Sequence, residues 1–190
     1  MKRLLIVGAG GHGRSVAEAV VAAGEFAVLG FLDDAFPELD QIGEIPVLGK
    51  VADLACFRDL TNHAFVAIGN NVLRQKVAAE LRNAGFILAS VTHPRAIVSP
   101  SAIIGAGSAV MAGAIVGTEA VLGEGVIVNC AAVVDHHCRV RDFGHLGVNA
   151  AMAGGSVLGV AAWMQGGSAL GYGVEIEPWR VLGPGEAVRS

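Results

Sequence analysis

Three of the chain's six histidines fall close together, at His136, His137 and His145. The run Val133-Val134-Asp135-His136-His137-Cys138 is followed almost at once by Asp142-Phe143-Gly144-His145. Imidazole is the side chain whose charge changes near neutral pH, so a neutral His here suits the removal of a proton from an attacking nucleophile. The same residue types are also metal ligands. Consecutive residues on an extended arm point to opposite faces, however, so His136, His137 and Cys138 are not expected to converge on an ion within one chain. No metal is therefore expected. The chemically silent reading of the cluster is a solvated corner.

A second constellation lies near the start. Gly8, Gly10 and Gly13 fit the spacing GxGxxG after an apolar run from Leu4 to Ala9. The spacing predicts a buried strand, a glycine turn and a helix from His12 to Ala23 ended by Gly24. A strand from Ala27 to Leu32 then closes on Asp33-Asp34. That order is half of a dinucleotide-binding unit: the glycines let backbone N–H groups approach a diphosphate, and the acids accept from a ribose or base. Close packing of strand on helix is the alternative use of the same glycines. The pattern continues through a loop with Pro46, a helix near Val51–Leu60, a strand at Ala64–Ile68, a helix from about Val72 to Ala84 and a strand at Phe86–Val91. Those are four parallel strands, too few for the two halves that a nicotinamide dinucleotide needs. His12 is unusual inside such a turn and can face a ligand.

The elements that must position the His cluster follow a different period. From Ala96 onward, every sixth residue from Val98 to Val188 is aliphatic or Met, sixteen in sixteen. The column two places earlier is mostly small, and the place after the aliphatic residue is often Gly, as at Gly105, Gly117, Gly123, Gly147, Gly159, Gly171 and Gly183. Neither a helix nor a two-sided strand holds a period of six. A parallel β-helix does, each hexad being one face of a prism with its aliphatic residue on the axis and glycine expected at the corner, where positive φ is cheap.

These hexads resemble the bacterial hexapeptide-repeat acyltransferases, which implies a left-handed β-helix with three hexads per coil and about five coils. Four further segments, in order, carry a closer resemblance: Gly8 to Gly13, Phe31 to Asp34, Ala67 to Asn71, and Thr92 to Ala96 leading into the hexads. Together they are similar to the sialic acid O-acetyltransferase and nucleotide-amino-sugar N-acetyltransferase family. The resemblance implies an α/β Rossmann-like domain over 1–93 that binds the nucleotide sugar, and a left-handed β-helix acyltransferase domain over 94–190. It places Gly10, Gly11 and His12 along the diphosphate and sugar, Asp33 and Asp34 at the nucleoside, and Gly69 in the same cleft. It makes His136 the general base, with Asp135 and His137 beside it in the catalytic set. Where the family often has an acid directly after that base, this chain has His137, and Asp135 is expected to substitute in part.

His136 and His145 lie nine residues apart, half a coil, and so fall on different sides of a prism. They can share a site only across a subunit interface, with His145 near the acetyl-CoA. Thr118 and Gly154, one coil either side of His136, are small and leave a groove. Asn129 matches a family position near the acceptor. Gly166 and Gly183 are the family matches for the pantetheine path. A further C-terminal turn that the family usually carries near the adenine is missing after Val188-Arg189-Ser190, so the adenine contacts are expected to differ. Trp163 and Trp179 are read as packing residues.

Composition sets the remaining bounds. A net charge of −4 and a pI near 5.8 disfavour a partner held by phosphate neutralisation, so no nucleic acid is expected. Phe143 to Val174 holds no Asp, Glu, Lys or Arg. Its recurring Gly, Ser, Asn and Gln and its hexad register argue against a membrane span. They favour an uncharged prism face packed on another copy, hence a homotrimer. Cys56, Cys130 and Cys138 show no paired spacing and read as free thiols in a cytoplasmic protein, and the glycines after Val7 leave no room for a signal sequence. The expected activity is transfer of the acetyl group of acetyl-CoA to the amine of a nucleotide-linked amino-deoxy sugar. The alternatives are O-acetylation of sialic acid or another sugar, and a non-catalytic scaffold.

Overall fold

The computed structural model describes residues 1–189. The chain divides into two compact units, one from Met1 to Ala89 and one from Ser90 onward.

The first unit is built on β1 (Lys2–Val7). Leu4, Leu5, Ile6 and Val7 are wholly buried, because β1 is flanked on both sides by parallel partners and covered on both faces. The partners are β2 (Phe26–Leu32) and β5 (His63–Val66). Helix α1 (Gly11–Ala23) packs Val16, Ala17, Ala19 and Val20 inward and ends at Gly24. There φ reaches 71° and the N–H donates to the Val20 carbonyl, a left-handed stop that glycine adopts without penalty. Helix α2 (Asn71–Asn83) starts under Asn70, whose side chain accepts the Leu73 N–H at 3.0 Å.

With β3 (Gln41–Ile42), β4 (Ile45–Gly49) and β6 (Ile87–Leu88), the sheet has six strands rather than the expected four, in the order β3-β4-β2-β1-β5-β6. The additional pair is an antiparallel hairpin of β3 and β4, with β4 running parallel to β2. Pro46, expected in a loop, is inside β4 and faces Gln41 of the outermost strand. Proline donates nothing to a ladder and is tolerated near a sheet margin, which is why it misled the reading. The helix expected near Val51–Leu60 is a short 3-10 helix, Val51–Phe57. The strand expected at Phe86–Val91 is split. Ile87–Leu88 forms β6 of this sheet, whereas Val91–Thr92 ladders onto Ala109–Val110 in the second unit.

The second unit consists of two-residue strands in three parallel sheets of six, six and five. Each strand pairs with those eighteen residues away. Ala109, Ile127, His145, Trp163 and Val181 succeed one another in the first ladder, and Ile115, Val133, Ala151 and Ala169 in the second. Val121, Arg139, Val157 and Glu175 succeed one another in the third. This is the hexapeptide left-handed β-helix. The aliphatic column from Val110 to Leu170 is its axis, joined by small residues such as Ala114, Ala132, Cys138 and Ala150. Ser108 belongs to the small column and is wholly buried, because its Oγ donates to the Gly123 carbonyl and accepts the Val126 N–H.

The corner glycines differ from expectation. Positive φ occurs three places after the aliphatic residue, at Gly107, Gly113, Gly125, Gly155, Gly167, Gly173 and Gly185. It also occurs there at Glu119, Ala131, His137, Phe143, Asn149, Ala161 and Trp179. The glycines directly after the aliphatic residue are not left-handed. They are small for another reason: a Cβ on Gly117 would lie 2.9 Å from the backbone of Asp135 and His136, and one on Gly159 would lie 2.5 Å from the backbone of Pro178. Coil-to-coil approach, rather than turn conformation, selects Gly105, Gly117, Gly123, Gly147 and Gly159, whereas Gly183 in the last coil meets only its own Glu186 side chain.

Candidate active site

The corner between the second and third ladders carries Asp135, His136 and His137, between strands Val133–Val134 and Arg139–Val140. The arm here is a turn, not extended, and His137 is left-handed with φ 58°. The two imidazoles consequently meet: His136 Nδ1 and His137 Nδ1 are 2.9 Å apart, with the rings edge to face. His137 Nε2 lies 3.2 Å from Glu119 Oε2. Glu119 is one coil earlier in the same left-handed corner slot, so the two side chains leave the backbone alike. Asp135 accepts the His136 backbone N–H at 2.7 Å and brings its other oxygen within 3.7 Å of His136 Nε2.

Gly154, one coil on, forms the wall against the His136 ring, whose atoms occupy the space a Cβ would fill. The neighbouring coils hold the corner by backbone bonds, Gly155 N–H to the His136 carbonyl and His137 N–H to the Thr118 carbonyl. Among the described residues no group of three or more His, Cys, Asp or Glu is placed to hold a metal ion.

His145 lies in the first ladder, the face opposite that corner. It is buried and stacked on Trp163 one coil further, with centroids 5.4 Å apart and planes 14° from parallel. Trp163, read from sequence as packing, is thus the stacking partner of a candidate site residue. The eighteen-residue spacing was the available signal. Its buried indole Nε1 has no hydrogen-bond partner among the described residues.

Gly166 and Gly183 sit on the next corner, between the first and second ladders. Gly166 is exposed and its carbonyl accepts the Gly185 N–H. Gly183 N–H donates to Glu186 Oε2, and Glu186 in turn pairs with Arg180. Asn129 is on that same corner and accepts the Cys130 N–H. Within one chain, then, His145, Asn129, Gly166 and Gly183 gather on one side of the prism, away from the corner of His136. A groove of about 770 Å³ runs elsewhere, along the third ladder between Val121 and Pro178.

In the first unit the glycines divide by role. Gly8, with φ 104°, and Gly13 are packing glycines. A Cβ on Gly8 would lie 2.9 Å from the Ala67 carbonyl oxygen, and one on Gly13 would overlap the Gly8 carbonyl. Gly10, Gly11 and Gly69 have nothing in that space, so their backbone is open to a ligand. Gly10 caps α1 without a side-chain bond, which leaves amide donors at that helix end. Asp33 spans the turn, accepting from Ala9 N–H at 2.7 Å and Ala35 N–H at 2.9 Å, and exposed Asp34 accepts from Val51 N–H.

His12 is half-buried, whereas Gly10 and Gly11 beside it are exposed. Burial, aided by the Arg74 charge, lowers its pKa to about 4, and its Nε2 is buried without a partner among the described residues. Arg74, which the sequence reading passed over, is 1% exposed and donates to the Ile68 and Gly69 carbonyls and to Asn71 Oδ1. Burial pulls it down to about 9, so it is charged at neutral pH beneath Gly69.

Residues 3–81 match the family model described as the PglD N-terminal domain. Across 99% of this chain and 89% of the other, the structure is similar to a variant of perosamine N-acetyltransferase from Caulobacter crescentus solved with CoA and GDP-perosamine. The TM-score is 0.93 at 37% identity. The chain belongs to the hexapeptide-repeat amino-sugar N-acetyltransferase family. A second member, the acetyltransferase domain of PglB from Neisseria gonorrhoeae in complex with acetyl coenzyme A, is 36% identical with a TM-score of 0.77, covering 100% of this chain and 96% of that one. A curated member, UDP-N-acetylbacillosamine N-acetyltransferase of Bacillus subtilis, is 34% identical over 110 residues, 57% of this chain and half of that protein's length.

Proposed function

We propose that the chain transfers the acetyl group of acetyl-CoA to the amine of a nucleotide-linked amino-deoxy sugar, with His136 as the general base. The observation that carries this is the His136 corner. An imidazole is held by a neighbouring ring at one nitrogen, and its other nitrogen lies along a glycine wall, beside a carboxylate that can steady a developing cation. His136 Nε2 takes a proton as the amine attacks the thioester carbonyl. The tetrahedral adduct collapses, the C–S bond breaks, and the proton passes to the leaving sulfur. A base of this kind contributes ~10²–10⁴-fold.

The open backbone of Gly10, Gly11 and Gly69 and the uncapped start of α1 suit the diphosphate of the acceptor. Charged Arg74 is held to the Gly69 carbonyl beneath them, and neutral His12 adjoins Gly11 in the same turn. On the β-helix, the exposed backbone of Gly166 in the charge-free stretch, with Gly183, His145 and Trp163 on the same side, suits a pantetheine chain. Because that corner and His136 lie apart in one chain, the active site forms between protomers of a homotrimer. Acetyl-CoA and nucleotide sugars are intracellular metabolites, which fits a cytoplasmic enzyme; among the described residues no helix is long and apolar enough to cross a membrane.

The test is thiol release from acetyl-CoA with GDP-, UDP- and dTDP-linked amino-deoxy sugars, free sialic acid as the hydroxyl control, and His136→Ala beside the wild type. Release with one nucleotide amino sugar, lost in the variant, is expected. Release that survives His136→Ala shows that the base is another group.

A further inference from the structure

Directly after His136 stands His137, and through its ring the Glu119 carboxylate reaches the site. We propose that Glu119 and His137 form a positioning relay behind His136, in which Glu119 fixes the tautomers of both imidazoles and leaves the lone pair of His136 on Nε2. The inference rests on the reading of His136 as the base.

The geometry leaves few proton arrangements. The His136–His137 contact is made by Nδ1 on each ring, 2.9 Å apart, so one ring must donate and the other accept. The free end of His137, Nε2, faces Glu119 Oε2 at 3.2 Å. A carboxylate only accepts, so His137 must carry a proton on Nε2 to satisfy it. In the neutral ring that leaves His137 Nδ1 as an acceptor, and His136 must then donate from its own Nδ1. His136 Nε2 is left unprotonated, beside Gly154 and within 3.7 Å of Asp135 Oδ2.

The opposite order, with His137 donating from Nδ1, sets a bare Nε2 3.2 Å from the Glu119 carboxylate, closer than the 3.7 Å between His136 Nε2 and Asp135 Oδ2, and is the more strongly repelled. When His136 Nε2 accepts the substrate proton, no further proton has to move: the new cation strengthens its Nδ1–H bond to His137 and feels Glu119 through that ring. The rival arrangement is a doubly protonated His137 paired with Glu119. It would donate to His136 Nδ1, keep the His136 proton on Nε2 and disable the base.

The groups that face this chain of contacts are few. On its own turn there are Asp135 and His137. From the coil below come Thr118 and Glu119, of which only Glu119 titrates. From the coil above come Gly154 and Gly155, which carry no charge. Glu119 is itself anchored, its backbone N–H donating to Ser101 Oγ at 3.0 Å. Its side chain is 63% exposed, so its substitution leaves the core intact.

Two measurements on the full chain test the relay. Long-range nitrogen–proton correlation spectra of 15N-labelled protein at neutral pH should show His136 protonated on Nδ1 and His137 on Nε2. Glu119→Ala should release His137 to a tautomer mixture. In kinetics, Glu119→Gln should lower kcat about tenfold, a small part of what a general base supplies, with KM for both substrates nearly unchanged. The acidic limb of its pH–rate profile should move to lower pH. A His137 protonated on both nitrogens, or an acidic limb that stays in place whatever happens to kcat, overturns the relay. His136→Ala separates the two layers. If that variant still releases thiol, the base assignment has failed. If it is dead while Glu119→Gln matches the wild type in limb and kcat, the relay alone has failed.

Discussion

At the scale of the residue, the wall opposite the base makes the sharpest prediction. Gly154→Ala puts a methyl group into the space of the His136 ring. The ring is half exposed and can swing outward, so the fold should lose less than about 1 kcal/mol, as for changes away from the core. The base would leave its place, however, and displacement on the ångström scale costs about a hundredfold. Parallel measurement of thiol release and thermal midpoint should show that split.

His12 predicts a pH dependence of stability. Its ordinary pKa of 6.5 falls to about 4 in the fold, so between these values the unfolded chain binds the extra proton. Stability is therefore full above pH 6.5 and falls as pH drops toward 4, by about 2 kcal/mol between pH 7 and pH 5. His63 is shifted the same way and adds to the trend. His12→Gln should flatten this fall. Both α-helices among the described residues belong to the first unit, so urea unfolding followed by helical circular dichroism reads it there.

The His cluster and the glycine turn were visible in the sequence because residue type announces them. Glu119 and Trp163 were not, although each lies eighteen residues from a residue that was singled out. Their partnership exists only once the coil length is used to bring distant positions together.

At the scale of the element, the hexad column was legible because its period admits a single architecture, and the axis residues are where it put them. The role of the glycines was misjudged, since composition does not say whether a glycine answers a need for conformation or a need for space. Gly159 and Gly10 separate the two kinds of small residue. Gly159→Ala forces a Cβ against the Pro178 backbone and should cost about 1–3 kcal/mol by overpacking. Gly10→Ala meets nothing and should leave stability within about 0.5 kcal/mol. The same change should weaken nucleotide-sugar binding, because the open backbone is the proposed diphosphate seat. Calorimetric binding of GDP- and UDP-sugars to each variant, beside urea unfolding, reads both effects. The hairpin β3–β4 was missed because Pro46 signals a break wherever its position relative to a sheet margin is unknown.

At the scale of the whole molecule, one chain places the candidate base and the candidate acetyl-CoA corner on different sides of the prism, so under the proposed assignment a second copy joins them. This predicts complementation between two defective chains. His136→Ala removes the base and leaves the Gly166 corner whole. Gly166→Trp fills that exposed corner and leaves His136 in place. Each variant alone should be nearly inactive in thiol release. Unfolded together and refolded at equal ratio, they assemble at random. A site built from the base of one protomer and the corner of the next is then intact in about a quarter of cases, as heterologous contact in a closed ring requires. Recovery of about a quarter of wild-type activity, absent when the two are mixed without refolding, is the expected result. No recovery, with trimers present by ultracentrifugation, would overturn the site shared between protomers.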